Sequence, residues 1–153
     1  TPYRYFAGKD ELFMAARAEA FRRFAVYLEA RLSTIEDPVE AVHDLARGYF
    51  EYAMEHRAAY RLMFQLGQPQ PERFPSFRQS GVEAWSIVLR STQAAIDGGD
   101  LDADPLDLAH LLWAGVHGVV SLALSHRLYM GRSADALVDP MIASLIASHR
   151  SSQ

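Results

Sequence analysis

The sequence predicts an all-α domain of about six helices. Three observations carry that prediction. Almost no stretch alternates apolar and polar residues with period two, and the β-branched residues are scattered. Three Asp-Pro pairs punctuate the chain: Asp37-Pro38, Asp104-Pro105 and Asp139-Pro140. Aspartate is a good N-cap, and proline suits the first helical position because its missing N–H has no intrahelical partner there. Of the 153 residues, 50% are hydrophobic and 22% charged, a composition able to bury one core and unlike a disordered chain.

The first long helix is expected from about Lys9 to Thr34, with Phe21, Phe24, Leu28, Leu32 and Ile35 on one face. Arg17, Glu19, Arg22, Arg23 and Glu29 are expected to cover much of the rest. A second helix should open at Pro38 and run to about His56. A short one follows over about Ala58 to Leu66, then the Gly67-Gln68-Pro69-Gln70-Pro71 loop and a longer helix over about Phe77 to Ile96, ended by Gly98-Gly99. A fifth should run from Pro105 to about Tyr129. The last either begins at Ser133 and carries Pro140 in its second turn, or begins at Pro140, and reaches about Ser148.

The chain has no cysteine, which excludes a disulfide scaffold, thiolate metal sites and cysteine catalysis and fits a cytoplasmic location. Its formal net charge of -4 argues against a domain that grips nucleic acid over most of its surface. The start at Thr1-Pro2-Tyr3-Arg4 has neither a methionine nor an apolar stretch behind it, so a longer natural chain is expected.

The fifth helix is apolar all round: Leu108 to Ser125 contains no Asp, Glu, Lys or Arg. That length is at the short limit for a membrane span, and His110, His117, Gly115, Gly118 and Ser121 interrupt it, so it reads as a buried helix and no membrane partner is expected. At about 100° per residue, Trp113, His117, Val120 and Leu124 share one face. Leu108, Leu111, Gly115, Gly118 and Leu122 share the other. A helix apolar on both faces needs a second surface to pack on. The expectation is a homodimer in which Leu111, Gly115, Gly118, Leu122 and Ser125 meet a second copy together with Met141 and Leu145 of the last helix. The alternative is that the glycines merely accommodate a crossing within one chain.

Residues 1 to 13 read Thr-Pro-Tyr-Arg-Tyr-Phe-Ala-Gly-Lys-Asp-Glu-Leu-Phe. This resembles the junction between the recognition helix and the regulatory domain in the TetR/AcrR family of transcriptional regulators, usually Thr-Leu-Tyr-x-His-Phe-x-Ser-Lys-Glu-Glu-Leu. Thr1, Tyr3, Phe6, Lys9, Glu11 and Leu12 match in register, whereas Pro2, Tyr5 and Gly8 depart from the usual leucine, histidine and serine cap. Arg57-Ala58-Ala59-Tyr60-Arg61-Leu62-Met63-Phe64 is similar to a short middle helix of such regulators, and Trp113-Ala114-Gly115-Val116-His117-Gly118 to a Trp…His-Gly signature of one C-terminal subclass.

The resemblance implies a TetR-like regulatory bundle over residues 9–153, with 1–8 the residual end of a helix-turn-helix domain. It implies a dimeric, ligand-responsive repressor with operator DNA as partner. Thr1, Tyr3, Tyr5 and Lys9 would lie at DNA, where tyrosine hydroxyls and an ammonium suit phosphates. Packing within the helix-turn-helix is the competing role for Tyr3 and the main one for Phe6. A small apolar or amphipathic effector would enter the aromatic interior, lined by Phe24, Tyr49, Phe64, Trp85, Trp113 and His117, with His43 a further polar candidate and Ala114 and Gly118 beside it. Plain core packing is the competing role for each aromatic, and a hydrogen-bonded core histidine for His117.

Enzyme chemistry has little support. Glu40-x-x-His43 and Asp107-x-x-His110 mimic halves of a carboxylate-bridged metal site, but Glu83 is the only evident further inward glutamate where two are needed. No nucleophile elbow or phosphate-binding glycine loop is present, and no metal or cofactor is expected. A helical interaction module without DNA binding would explain the body but not residues 1–13.

Overall fold

The computed structural model describes residues 2–64, 67 and 72–152, with side chains described from residue 8 onward. Among the described residues six helices follow one another: α1 (Pro2–Leu32), α2 (Pro38–Glu55), α3 (Arg57–Phe64), α4 (Pro75–Asp97), α5 (Pro105–Leu124) and α6 (Ala134–Ala147). The predicted all-α class holds.

The helix starts follow the expected capping chemistry. Asp37 accepts from the Glu40 N–H at 2.8 Å, and Asp104 accepts from the N–H groups of Leu106 and Asp107 at 2.9 and 3.0 Å. The third Asp-Pro pair does not start a helix. Ser133 caps α6 instead, accepting from the Ala136 N–H at 3.2 Å, and Pro140 lies inside. Proline there leaves the Ala136 carbonyl without its helical donor, a deficit that exposure to water relieves.

Three expectations about helix bounds and surface charge need correction. The first helix begins at Pro2 and runs unbroken past Lys9. Gly8 stands where the family pattern has a serine, so no side-chain oxygen is present to cap a fresh helix there. The fifth helix ends at Leu124, short of Tyr129. His126 adopts φ 54°, the Arg127 N–H donates to the Leu122 carbonyl at 2.9 Å and the His126 N–H to Ala123 at 3.1 Å. That left-handed residue with its paired return bonds is a Schellman stop with histidine in the usual glycine place. Third, Arg17 is not a surface charge but 2% exposed. Its guanidinium donates to the carbonyls of Leu62 (2.8 Å), Met63 (3.4 Å) and Gly67 (3.2 Å), serving as the cation at the C-terminal end of α3. It also lies over the Phe77 ring, 4.5 Å from the centroid.

α2 is the central helix, touching the other five. Val42, Leu45, Ala46, Tyr49, Phe50 and Ala53 are buried in it. α1 packs along α4, where Phe77, Ser80, Ala84, Ile87, Ser91 and Ala95 form the buried stripe at helical spacing. α5 is the one described helix long and apolar enough to cross a membrane; in this fold Leu108, Ala109, Leu112, Val116, Val119, Val120 and Leu124 bury into the protein core. Leu108, placed on the outer face by sequence, is therefore an inner residue.

A chain of ion pairs ties α1, α2 and α6 together. Arg31 binds Asp44 through two bonds, 2.9 and 2.6 Å, and Glu51 at 2.6 Å. Glu51 also accepts from Arg47 at 3.0 Å, and Arg47 reaches Asp139 of α6 at 2.8 Å. The bonds to Asp44 are the main reason the Arg31 guanidinium is held even more firmly protonated than usual.

Candidate functional site

The six-helix arrangement leaves a cavity of about 430 Å³ between α1, α2, α4 and α5, closed on one side by Phe64 of α3. A volume of this size matches small-molecule sites, which run to about 300–1,000 Å³. Five of the six expected interior residues line it: Phe24, Tyr49, Phe64, Trp85 and Trp113. They are one aromatic cluster, with Phe24 5.2 Å from Tyr49, Tyr49 5.9 Å from Phe64, and Trp85 5.6 Å from Trp113. Offset and edge-on contacts of this kind keep the rings rigid around the space.

The sixth, His117, does not line the cavity. Its Nδ1 is hydrogen-bonded to the Tyr60 hydroxyl, which meets the Tyr49 hydroxyl at 3.2 Å; the Trp113 Nε1–H in turn donates to Tyr49 at 3.1 Å. His117 therefore stands behind the wall, linked through Tyr60 to the lining residue Tyr49; Tyr60 was not among the expected site residues. The signal was available: Tyr60 lies one turn before Phe64 on a short helix whose Met63 is also buried. Burial depresses the His117 imidazole below the usual histidine range and raises the Tyr49 and Tyr60 phenols. All three are consequently neutral near pH 7. His43 is half-buried on α2 but does not reach the cavity, and neither Ala114 nor Gly118 lines it.

Little else in the wall is polar. Arg78 is the only charged residue among the described lining, and it is exposed. The Thr92 hydroxyl is occupied by the carbonyls of Val88, Leu89 and Pro105. The Ser91 hydroxyl is buried and has no hydrogen-bond partner.

The outer face of α5 carries Leu111 (44% exposed) and Leu122 (42%), with Ser125 exposed and Gly118 half-buried. A methyl group at Gly118 would meet nothing within 4 Å in its own chain. Gly115 differs. A Cβ there would come within 2.5 Å of the Met141 sulfur and 3.5 Å of Leu145 Cδ1, so this glycine serves the α5–α6 crossing inside one chain. Met141 and Leu145 are half-buried beside it.

Of the expected DNA-proximal residues, Lys9 is exposed on α1. Thr1 and the side chains of Tyr3, Tyr5 and Phe6 lie outside the described residues, as does the 68–71 part of the predicted loop. Among the described residues no three His, Asp or Glu side chains gather as metal ligands. The His110 Nδ1–H instead donates to the Leu106 carbonyl, 2.8 Å away, and the ring lies tilted against Trp85 with centroids 4.6 Å apart.

Comparison with known proteins places this geometry. The fold is similar to that of a Rhodococcus sp. RHA1 protein of unknown function, with TM-score 0.82 and 23% identity over 91% of this chain and 73% of the other. It is also similar to the candidate regulatory protein SCO4313, with TM-score 0.73 and 24% identity over 95% of this chain and 77% of the other. At such identities the likeness concerns the fold. No curated protein matches the sequence. A family model described as "Tetracyclin repressor-like, C-terminal domain" matches residues 42–145, from within α2 to within α6 and well over half of the chain. The chain belongs to the tetracycline-repressor-like C-terminal domain family of regulators.

Proposed function

We propose that this chain is the effector-binding and dimerisation body of a ligand-responsive, DNA-binding transcriptional repressor that works in the cytoplasm. The observation that carries the reading is the aromatic cavity of about 430 Å³ inside a fold of this family. An apolar wall with few polar groups suits a small apolar or amphipathic effector. The open apolar face around Leu111, Gly118 and Leu122, continued by Met141 and Leu145, suits a second copy of the chain in a four-helix interface. The resemblance of residues 1–13 supports a helix-turn-helix unit joined to α1, with Thr1, Tyr3, Tyr5 and Lys9 at operator phosphates.

The mechanism is a population shift. Two spacings of the paired DNA-binding units exchange, and an effector acts only to the extent that it binds one better than the other. α1 is the lever. Phe21, Phe24 and Leu28 of its middle line the cavity, and its first residues carry the DNA-proximal motif. Arg31 fastens its far end to α2.

The test uses the full-length repressor with an operator selected from genomic DNA. A ligand that binds the cavity should weaken operator binding by about 5–150-fold, the usual range of such coupling. In Ala84→Phe, which fills the cavity from its 4%-exposed α4 position, operator binding should persist and the ligand response should vanish. Operator affinity unmoved by saturating ligand would reject the mechanism.

A further inference from the structure

We propose that the cavity takes an uncharged, ring-sized apolar ligand bearing one hydroxyl or carbonyl group, and that Ser91 receives that group. The inference rests on the reading of the cavity as the effector site and deepens it.

Ser91 lies on the buried stripe of α4, is 7% exposed, and lines the cavity. Its Oγ is the only buried side-chain nitrogen or oxygen without a hydrogen-bond partner among the described residues. Helical hydroxyls ordinarily bond back to a carbonyl three or four residues earlier. Ser80 and Thr92, its buried neighbours on α4, both do so. A buried hydroxyl left unpaired is costly, and its serine lines a ligand-sized space, so a turn about χ1 brings the Oγ to a polar group on the ligand.

The charge of that ligand follows from the wall. Among the described residues no buried cation or anion lines the space, and Arg78, the one charged lining residue among them, is exposed. An ionised headgroup beside Ser91 would be desolvated without a counter-charge. A neutral hydroxyl or carbonyl meets the serine at little desolvation cost, since a serine hydroxyl both donates and accepts.

The experiment uses the 153-residue chain, its Ser91→Ala variant, and three probes with one body: biphenyl, 4-hydroxybiphenyl and biphenyl-4-carboxylate. Affinities are measured by calorimetry. Trp85 and Trp113 both line the cavity and are the only tryptophans, so quenching of their fluorescence locates the probe. In the unliganded protein Ser91→Ala should melt no lower than wild type. The ratio of 4-hydroxybiphenyl to biphenyl affinity should fall roughly three- to tenfold in Ser91→Ala, the loss of one hydrogen bond. Biphenyl-4-carboxylate should bind weakest. An unchanged ratio, a clearly lower melting temperature for unliganded Ser91→Ala, or tightest binding of the carboxylate lost on Arg78→Ala would each overturn the assignment to Ser91 and leave the cavity as the effector site. Failure of all three probes to bind wild type would overturn that reading of the cavity as well.

Discussion

The side chain of Arg31 lies across Gly48. A Cβ at position 48 would stand 2.5 Å from Arg31 Cδ and 2.6 Å from its Nε. A glycine in the middle of a helix costs about 1 kcal/mol relative to alanine. Here the bare backbone lets Arg31 reach Asp44 and Glu51 together.

That relationship predicts a change of sign. Gly48→Ala alone should destabilise the fold by about 1 kcal/mol, because displacing Arg31 from two partly buried carboxylates outweighs the helix-propensity gain. In an Arg31→Ala background the same substitution should stabilise by about 1 kcal/mol. Urea unfolding of the four proteins in the cycle measures both.

Arg17 gives a second test. Arg17→Leu removes the donor for the carbonyls of Leu62 and Met63 at the end of α3 and of Gly67 beyond it. We expect a loss of about 2–4 kcal/mol, with the amide protection of α3 lost before that of α2. Arg17→Lys should restore little of this, since an ammonium cannot fork to several carbonyls while stacking on Phe77. Hydrogen exchange resolved by helix separates local from global loss.

The two arginines also show where the sequence was legible. The caps at Asp37 and Asp104, the helix order and the aromatic interior follow from two Asp-Pro pairs and apolar periodicity, and they appear as expected. Arg17 was read by residue type as a surface charge. Its position four residues before Phe21 and seven before Phe24 puts it on the buried stripe, and position decides burial when carbonyls are waiting for a donor. Ser91 was legible in the same way, on the stripe of Phe77, Ala84 and Ile87. The role of Gly115 was not legible: whether a helical glycine faces its own chain or another depends on where α6 crosses, which no local pattern encodes. His117 was placed on the correct face of α5, but which partner took its Nδ1 depended on the packing of α3.

The His117 imidazole carries a pH signature. Burial depresses it below its ordinary value of 6.5, so between its folded and unfolded values the unfolded chain binds more protons. Stability should therefore be full above about pH 6.5 and decline as the pH falls through the folded value. The lowered carboxylates, Glu19 and Glu51, titrate below their ordinary 4.5 and leave the window from about pH 5 to 6.5 to histidine. His117→Asn should flatten the decline in that window. Urea midpoints of both proteins at pH 5 and pH 8 supply the comparison.

The proposed switch depends on α5 and α6 offering a face to a second copy, because one domain alone has no partner whose spacing an effector can change. Sedimentation equilibrium of the chain at micromolar concentration tests this most directly. The prediction is a species of twice the 17.1 kDa chain mass, reduced toward 17.1 kDa in Gly118→Leu, a substitution with room inside its own chain. A wild-type chain that stays at 17.1 kDa would contradict it.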